Sequence, residues 1–132
     1  MLSLQLWMRI VGSLYLLMFV AVLARAPIRA EGPEGVVEQA AAGDPTARFV
    51  ITTWITLGLL LGVLGGALLY FSGNPDAARS LAWTAIAVEL VWGIPIDLFK
   101  IVRGQKKVPS VVWIGIHSVL GVVGLAALGV FS

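Results

Sequence analysis

The chain contains no cysteine and a single histidine, His117. Without a thiol it forms no disulfide and offers neither a thiolate nucleophile nor a ligand for an iron–sulfur cluster. One histidine is also too few for bis-histidine haem ligation or a multi-histidine zinc site within one chain. We therefore expect no bound cofactor, no metal site and no catalytic residue that these groups would supply.

Charge is also scarce. Charged residues make up 12% of the sequence, against about 25% in a typical soluble domain, and hydrophobic residues make up 59%. The mean hydropathy is +0.97. These values predict an integral membrane protein. The net charge of +2 comes from short polar segments, a distribution that favours topology control and contact with anionic lipid over nucleic-acid binding.

Four apolar stretches predict an all-α fold, a four-helix transmembrane bundle that forms a single integral membrane domain over residues 1–132. Each is long enough for a spanning helix, which needs about 20 apolar residues. Residues 25–47 separate the first two stretches and form the only long extramembrane loop. The predicted spans are residues 4–24, 48–71, 78–102 and 109–131.

Local signals mark the ends of these helices. Asp44–Pro45 and Asn74–Pro75 each combine an N-cap residue with a proline suited to the first helical position. Gly104 is placed to close the third helix, and Pro95 predicts a bend within it because proline lacks an N–H donor. A short surface helix is expected at residues 36–42.

The distribution of lysine and arginine predicts the orientation in the membrane. With four spans, most basic residues share one side, and only Arg9 and Arg79 lie on the other. By the positive-inside rule this places both termini outside the cytoplasm in a multi-pass protein of the plasma (inner) membrane. Lys100, Arg103, Lys106 and Lys107 form a compact, lipid-facing basic patch, which is explained by topology or by specific binding of anionic lipid.

Two carboxylates interrupt the third apolar stretch, Glu89 and Asp97. An aspartate at the centre of a spanning helix costs about 2.5 to 3.5 kcal/mol, so such residues usually face other helices and find partners. On an ideal α-helix these two lie about 80° apart around the axis and about 12 Å apart along it. Depth in the membrane suggests Arg9 as a partner for Glu89, and His117 or Lys100 as a partner for Asp97.

Two interpretations of this candidate intramembrane polar site, formed by Glu89, Asp97, His117 and Arg9, remain open. The first is structural, because hydrogen bonds between membrane helices fix their register. The second is a ligand site or a proton relay, because intramembrane acids often mark functional sites.

Glycines provide a second pattern. Gly58, Gly62 and Gly66 are spaced four residues apart, and Gly121 and Gly124 lie on the face of the last helix that carries His117. Small residues at such spacing let helices approach closely. We expect helix packing within the chain, with a homodimer or a partner subunit as the alternative.

The sequence resembles the BphX-like family, small relatives of the broader DoxX-like four-helix group. The resemblance is carried by these segments: the Leu6–Tyr15 start, Asn74–Pro75, Trp83–Asp97, Ile101–Gly104 and His117. It implies a four-helix membrane protein with no assigned reaction, named for genes near aromatic-compound degradation.

The resemblance extends to individual positions without assigning them roles. The family-like positions are Glu89, Asp97, Arg103 and Gly104. The resemblance implies more polar residues than Trp92 and Pro95 at those two positions.

Together these patterns predict a non-enzymatic accessory or hydrophobic-ligand-binding subunit. One alternative is a homo-oligomeric transporter or permeability factor for a small hydrophobic or aromatic compound, since a four-helix chain is too small to alternate access alone. Another is a membrane isomerase or quinone-linked enzyme that uses Glu89, Asp97 and His117 as acid–base groups. The expected partners are membrane lipid, then a second copy or a larger membrane complex, and a small hydrophobic ligand.

Overall fold

The computed structural model describes residues 2–105 and 107–132. Within them the chain is all-helical and contains no strand, as the sequence predicts. The elements are α1 (Leu4–Leu23), α2 (Ala26–Glu31), α3 (Val36–Ala41), α4 (Pro45–Phe71), α5 (Arg79–Ala87), a π-helix (Val88–Gly93), α6 (Ile94–Val102) and α7 (Lys107–Ala127).

Three helices, α1, α4 and α7, are long and apolar enough to cross a membrane. Within the most apolar window of each, only 33%, 22% and 17% of the residues, respectively, are buried inside the protein. Large apolar side chains such as Leu17, Val63 and Val119 are more than half exposed. A soluble monomer rarely leaves so much contiguous apolar surface in water.

The third predicted span is a run of consecutive helical pieces over residues 79–102: α5, the π-helix and α6. It begins at Arg79 rather than at Pro75, because residues 74–78 form turns in which Asn74 Oδ1 accepts only a long hydrogen bond, 3.5 Å, from the Ala77 N–H. Its end matches the prediction, with Gly104 in the left-handed conformation at φ +72°. The cap at Asp44 is also present, where Oδ1 accepts the Ala47 N–H at 2.6 Å.

The irregularity predicted at Pro95 lies just before that residue. The π-helix occupies Val88–Gly93, and at its end the Ile94 N–H donates to the Glu89 carbonyl, a bond that spans five residues. Pro95 has no N–H to offer to the preceding turn and stands at the start of α6. The helix therefore widens by one residue at this point, where the sequence alone indicated only a bend.

The chain divides into two compact units, Met1–Val11 with Ala67–Ser132 and Gly12–Gly66. In the second of these, the predicted loop 25–47 is largely helical. The expected short helix is present as α3, and α2 was not predicted. Both short helices contribute to a small apolar core with the flanking parts of α1 and α4, formed by Val22, Ile28, Val36, Ala47 and Ile51.

An exposed ion pair joins the two short helices. The Arg29 guanidinium donates to the Glu38 carboxylate, and this hydrogen bond holds the pKa of Glu38 below its ordinary value. A carboxyl whose pKa is lowered by folding stabilises the folded state above its unfolded pKa. The contribution of this pair is therefore present at neutral pH and is lost as the pH falls through the lowered pKa.

Glycines of α4 allow close helix packing in the same unit. A Cβ atom would lie 3.1 Å from Val22 at Gly58 and 2.9 Å from the Phe19 ring at Gly62. Gly66 makes no close contact within the described part of the chain, because nothing lies within 4 Å of a Cβ placed there, and its alternative role in contact with a second copy or a partner stays a prediction. Gly65 is the close packing position instead, since a Cβ there would lie 2.7 Å from the Gly12 carbonyl oxygen. At 3.6 residues per turn Gly65 lies about 20° from Gly58 around the helix axis, whereas Gly66 lies about 80° away.

In the other unit, α7 packs against α5, the π-helix and α6. A Cβ at Gly121 would overlap Leu90, and one at Gly124 would lie 2.6 Å from Trp7. The Trp7 indole N–H donates to the Leu120 carbonyl at 3.0 Å. Both glycines of α7 are therefore packing positions, as predicted.

We predict opposite effects of alanine at two adjacent glycines of α4. At Gly65 the new methyl group would meet the Gly12 carbonyl oxygen at 2.7 Å, a backbone atom that cannot rotate away. Gly65→Ala should lower the free energy of unfolding by about 1–3 kcal/mol. The matched control Gly66→Ala should be neutral or stabilise by up to about 1 kcal/mol through helix propensity. Unfolding titrations in detergent micelles measure both, and equal effects would contradict this packing.

Candidate functional site

Three polar residues from separate helical elements meet in the unit that contains α5 to α7. Glu89 is the second residue of the π-helix, Asp97 lies in the first turn of α6, and His117 lies in the middle of α7. The His117 Nδ1 atom lies 2.5 Å from Glu89 Oε2, and Nε2 lies 3.4 Å from Asp97 Oδ2. One imidazole ring therefore bridges the two carboxylates.

Lys100 completes this arrangement, and we call these four residues the polar network. Its ammonium group donates to Asp97 Oδ1 at 3.3 Å. Glu89 and Asp97 are each only 2% exposed, whereas the side chain of Lys100 is 23% exposed. The network thus runs from a partly exposed cation near the end of α6 to a fully buried carboxylate in the π-helix.

The π-helix explains how one ring reaches both acids. On a regular α-helix Glu89 and Asp97 would be offset by about 80°. A π turn holds one residue more than an α turn and so cancels about 100° of this rotation. The remaining offset is about 20°, which places both carboxylates on the face that α7 covers.

Gly93 makes room for the imidazole. A Cβ atom at this position would lie 2.7 Å from Cγ and Nδ1 of His117. The ring also stacks on Trp113 with a centroid distance of 5.8 Å and an interplanar angle of 30°. The ring is therefore held in place by packing as well as by its hydrogen bond to Glu89. Gly93 is not among the predicted site residues. Its spacing of four residues from Glu89 could have identified it, because a glycine at that position leaves space for another side chain beside the acid.

The charges of the polar network balance. Both ring nitrogens of His117 face carboxylate oxygens, so each contact requires a proton. With two protons on these contacts, the two acids and the imidazole carry a net charge of −1, which the Lys100 ammonium neutralises. A neutral, hydrogen-bonded set is what an apolar interior tolerates, because an unpaired buried charge costs several kcal/mol.

The same arrangement limits the chemistry available. A catalytic histidine needs a nitrogen directed at its substrate, whereas both nitrogens of His117 contact acids of the same chain. Among residues 2–105 and 107–132, no group of three or more acids and histidines is arranged to hold a metal ion. The geometry suits charge pairing and proton exchange within the network.

The structure brings together three of the four residues of the predicted polar site. The predicted Asp97–His117 and Asp97–Lys100 contacts are present. Glu89 contacts His117 instead of the expected Arg9. Arg9 is exposed, and its Nε donates to Ser72 Oγ at 3.2 Å.

The predicted basic patch divides between two environments. Lys100 belongs to the polar network, whereas Arg103 and Lys107 are exposed. The Arg103 guanidinium lies over the Phe99 ring, 5.0 Å from its centroid. Lys106 lies outside the residues that the structure describes.

Comparisons of this chain with known protein families, with curated proteins and with solved structures give no match.

We predict that the polar network depends on the missing side chain at position 93. Gly93→Ala should displace the His117 ring and lower the free energy of unfolding by about 1–3 kcal/mol, the usual cost of overpacking. Gly115→Ala is the matched control, because nothing lies within 4 Å of a Cβ there. Unfolding titrations in micelles measure stability, and ¹⁵N spectra of the His117 ring should change only in the first variant. Unchanged His117 spectra in Gly93→Ala would contradict the packing described.

Proposed function

We propose that this chain is a multi-pass protein of the plasma membrane, related to the BphX-like and DoxX-like proteins, that acts as a non-enzymatic accessory subunit. The observation that carries the proposal is the polar network. Each of its four residues, which could otherwise serve as a general acid or base, is engaged by another residue of the same network. A network of this kind holds helices in register and leaves the outer helix faces for lipid or a partner.

In the proposed topology four segments cross the membrane: α1, α4, residues 79–102 and α7. Its acids are paired, and a continuous helix that includes a π turn still satisfies most backbone groups internally, as hydrocarbon requires. Arg79 marks one end, and Lys100 and Arg103 mark the other. Its outer positions are apolar, with Val91 and Val102 more than 70% exposed.

The accessory role is supported by the large share of each long helix that the chain itself leaves uncovered. Lipid covers part of this surface in the proposed arrangement, and a larger membrane complex covers the rest. The alternatives, a hydrophobic-ligand-binding subunit and a homo-oligomeric transporter, share the same four-span topology. They differ in which molecules stay bound to the chain when it is extracted from the membrane: another membrane protein, further copies of the chain or a small hydrophobic ligand.

Native mass spectrometry of complexes released from cell membranes into mild detergent tests the accessory role. We expect the chain in a complex of fixed stoichiometry with a different membrane protein. A homo-oligomer that retains a small hydrophobic molecule would replace this proposal with transport or ligand binding. A monomer that retains only bulk lipid would contradict it.

Cysteine labelling tests the four-span topology, and the natural absence of cysteine makes every introduced thiol unique. Asp76 and Gln105 are exposed and lie on either side of residues 79–102. A membrane-impermeant maleimide should label Asp76→Cys in intact cells and Gln105→Cys only after permeabilisation, as the positive-inside rule requires. Labelling of both from the same side would show that residues 79–102 do not cross the membrane.

A further inference from the structure

The groups of the polar network follow one another in the order that proton transfer requires. A partly exposed ammonium, Lys100, contacts Asp97, Asp97 contacts one nitrogen of His117, and the other nitrogen contacts Glu89. Asp97 and Glu89 occupy opposite ends of one imidazole ring. They differ in position along the helix, with Asp97 nearer the basic end of α6 and Glu89 deeper in the segment.

Two protons, one between Asp97 and Nε2 and one between Nδ1 and Glu89, can be distributed in three ways. In the first, Asp97 is a neutral acid that donates to Nε2, while the Nδ1–H bond points at a charged Glu89. In the second, His117 is an imidazolium between two carboxylates. In the third, Asp97 is charged and Glu89 is the neutral acid. The net charge of these three groups is −1 in every arrangement, so Lys100 neutralises the network throughout.

We propose that the polar network is a proton shuttle that moves one proton equivalent between Asp97 and Glu89 through His117. In the first step the Asp97 O–H bond breaks and an Nε2–H bond forms. In the second step the Nδ1–H bond breaks and an O–H bond forms on Glu89. Nδ1 and Glu89 Oε2 are already within hydrogen-bonding distance, whereas Nε2 and Asp97 Oδ2, 3.4 Å apart, must approach each other in the first step. No other reactant is consumed, and the reverse steps restore the starting state.

The packing around the ring supports this function. Gly93 and Trp113 both pack closely against the imidazole, which contacts both acids. Nδ1 and Glu89 Oε2 lie 2.5 Å apart, close enough for a direct hydrogen bond. Transfer across such a contact requires little movement of the proton. The shuttle couples the protonation state of Glu89 to that of Asp97, which lies nearer the basic end of α6.

Isotope-edited infrared spectroscopy tests the shuttle in the full-length protein reconstituted in lipid vesicles at neutral pH. Selective ¹³C labelling of glutamate or aspartate carboxyls separates the two acids, and Glu89→Gln and Asp97→Asn assign their signals. We expect the C=O band of a protonated carboxyl from both Glu89 and Asp97 in the wild type. Glu89→Gln should remove the Asp97 band, and Asp97→Asn should remove the Glu89 band, because the neutral amide takes the place of the protonated acid and leaves the other carboxylate charged to balance Lys100.

His117→Gln keeps hydrogen-bonding capacity but cannot accept a proton on one atom and release one from another, so it should abolish this reciprocal response. Ser118→Ala is the matched control on the adjacent residue, whose hydroxyl donates to the Ile114 carbonyl outside the network. It should behave as wild type. Circular dichroism and thermal melting report the folding of each variant. If a variant does not fold, the wild-type spectrum alone decides, because both labels must show the protonated band.

Two results would overturn the shuttle. The first is a wild-type spectrum with a protonated band from neither acid or from only one, which would show a fixed proton. The second is an Asp97 band that Glu89→Gln leaves unchanged in folded protein. The inference rests on the proposed placement of the network inside the bilayer. Cysteine labelling tests that placement separately, so a failed shuttle with normal labelling would leave the proposed function intact.

Discussion

The organisation of the second half of the chain depends on the cost of removing Glu89 and Asp97 from water. An isolated buried carboxylate is several kcal/mol unfavourable, and both acids are almost fully buried. The contacts with His117 and Lys100 offset this cost. They also decide which face of the π-helix and of α6 turns toward α7, because only one face carries the acids. Packing of Gly121 and Gly124 against Leu90, Ile86 and Trp7 then follows on the same side of α7.

The stabilisation from these polar contacts is modest compared with their effect on specificity. Hydrogen bonds between membrane helices contribute about 0.6 kcal/mol on average. Apolar packing stabilises contact between the helices but hardly favours one rotation of a helix over another, since the helices are apolar on nearly every side. A few polar contacts with fixed geometry select one rotation of each helix from many that pack almost as well. Replacing the acids with apolar residues would therefore remove a constraint on register more than a large share of the stability.

Much of the fold follows from local signals in the sequence. The helix start at Asp44–Pro45 and the glycine stop at Gly104 depend only on neighbouring residues, and both are present. The contact of Asp97 with Lys100 follows from their spacing on one helix.

The pairing of Glu89 with His117 could not be predicted, because an ideal helix turns Glu89 away from Asp97 and depth in the membrane alone indicated Arg9 as the partner. Pro95 removes one N–H from this part of the helix, but the sequence does not show whether the helix responds with a bend or with a π turn that changes the rotation. Helix α2 was missed because its apolar residues become buried only when α3 folds against the same core.

The π-helix has a consequence for how related chains should be compared with this one. A turn with one extra residue is equivalent to an insertion that the helix absorbs without breaking. A relative shorter by one residue between Glu89 and Asp97 could form an uninterrupted α-helix and still direct both acids to the same neighbour. An alignment without a gap that matches the first acid of such a relative to Glu89 would then match its second acid to Ile96 instead of Asp97. Relatives of the polar network are better identified by the rotational position of the two carboxylates than by a spacing of eight residues.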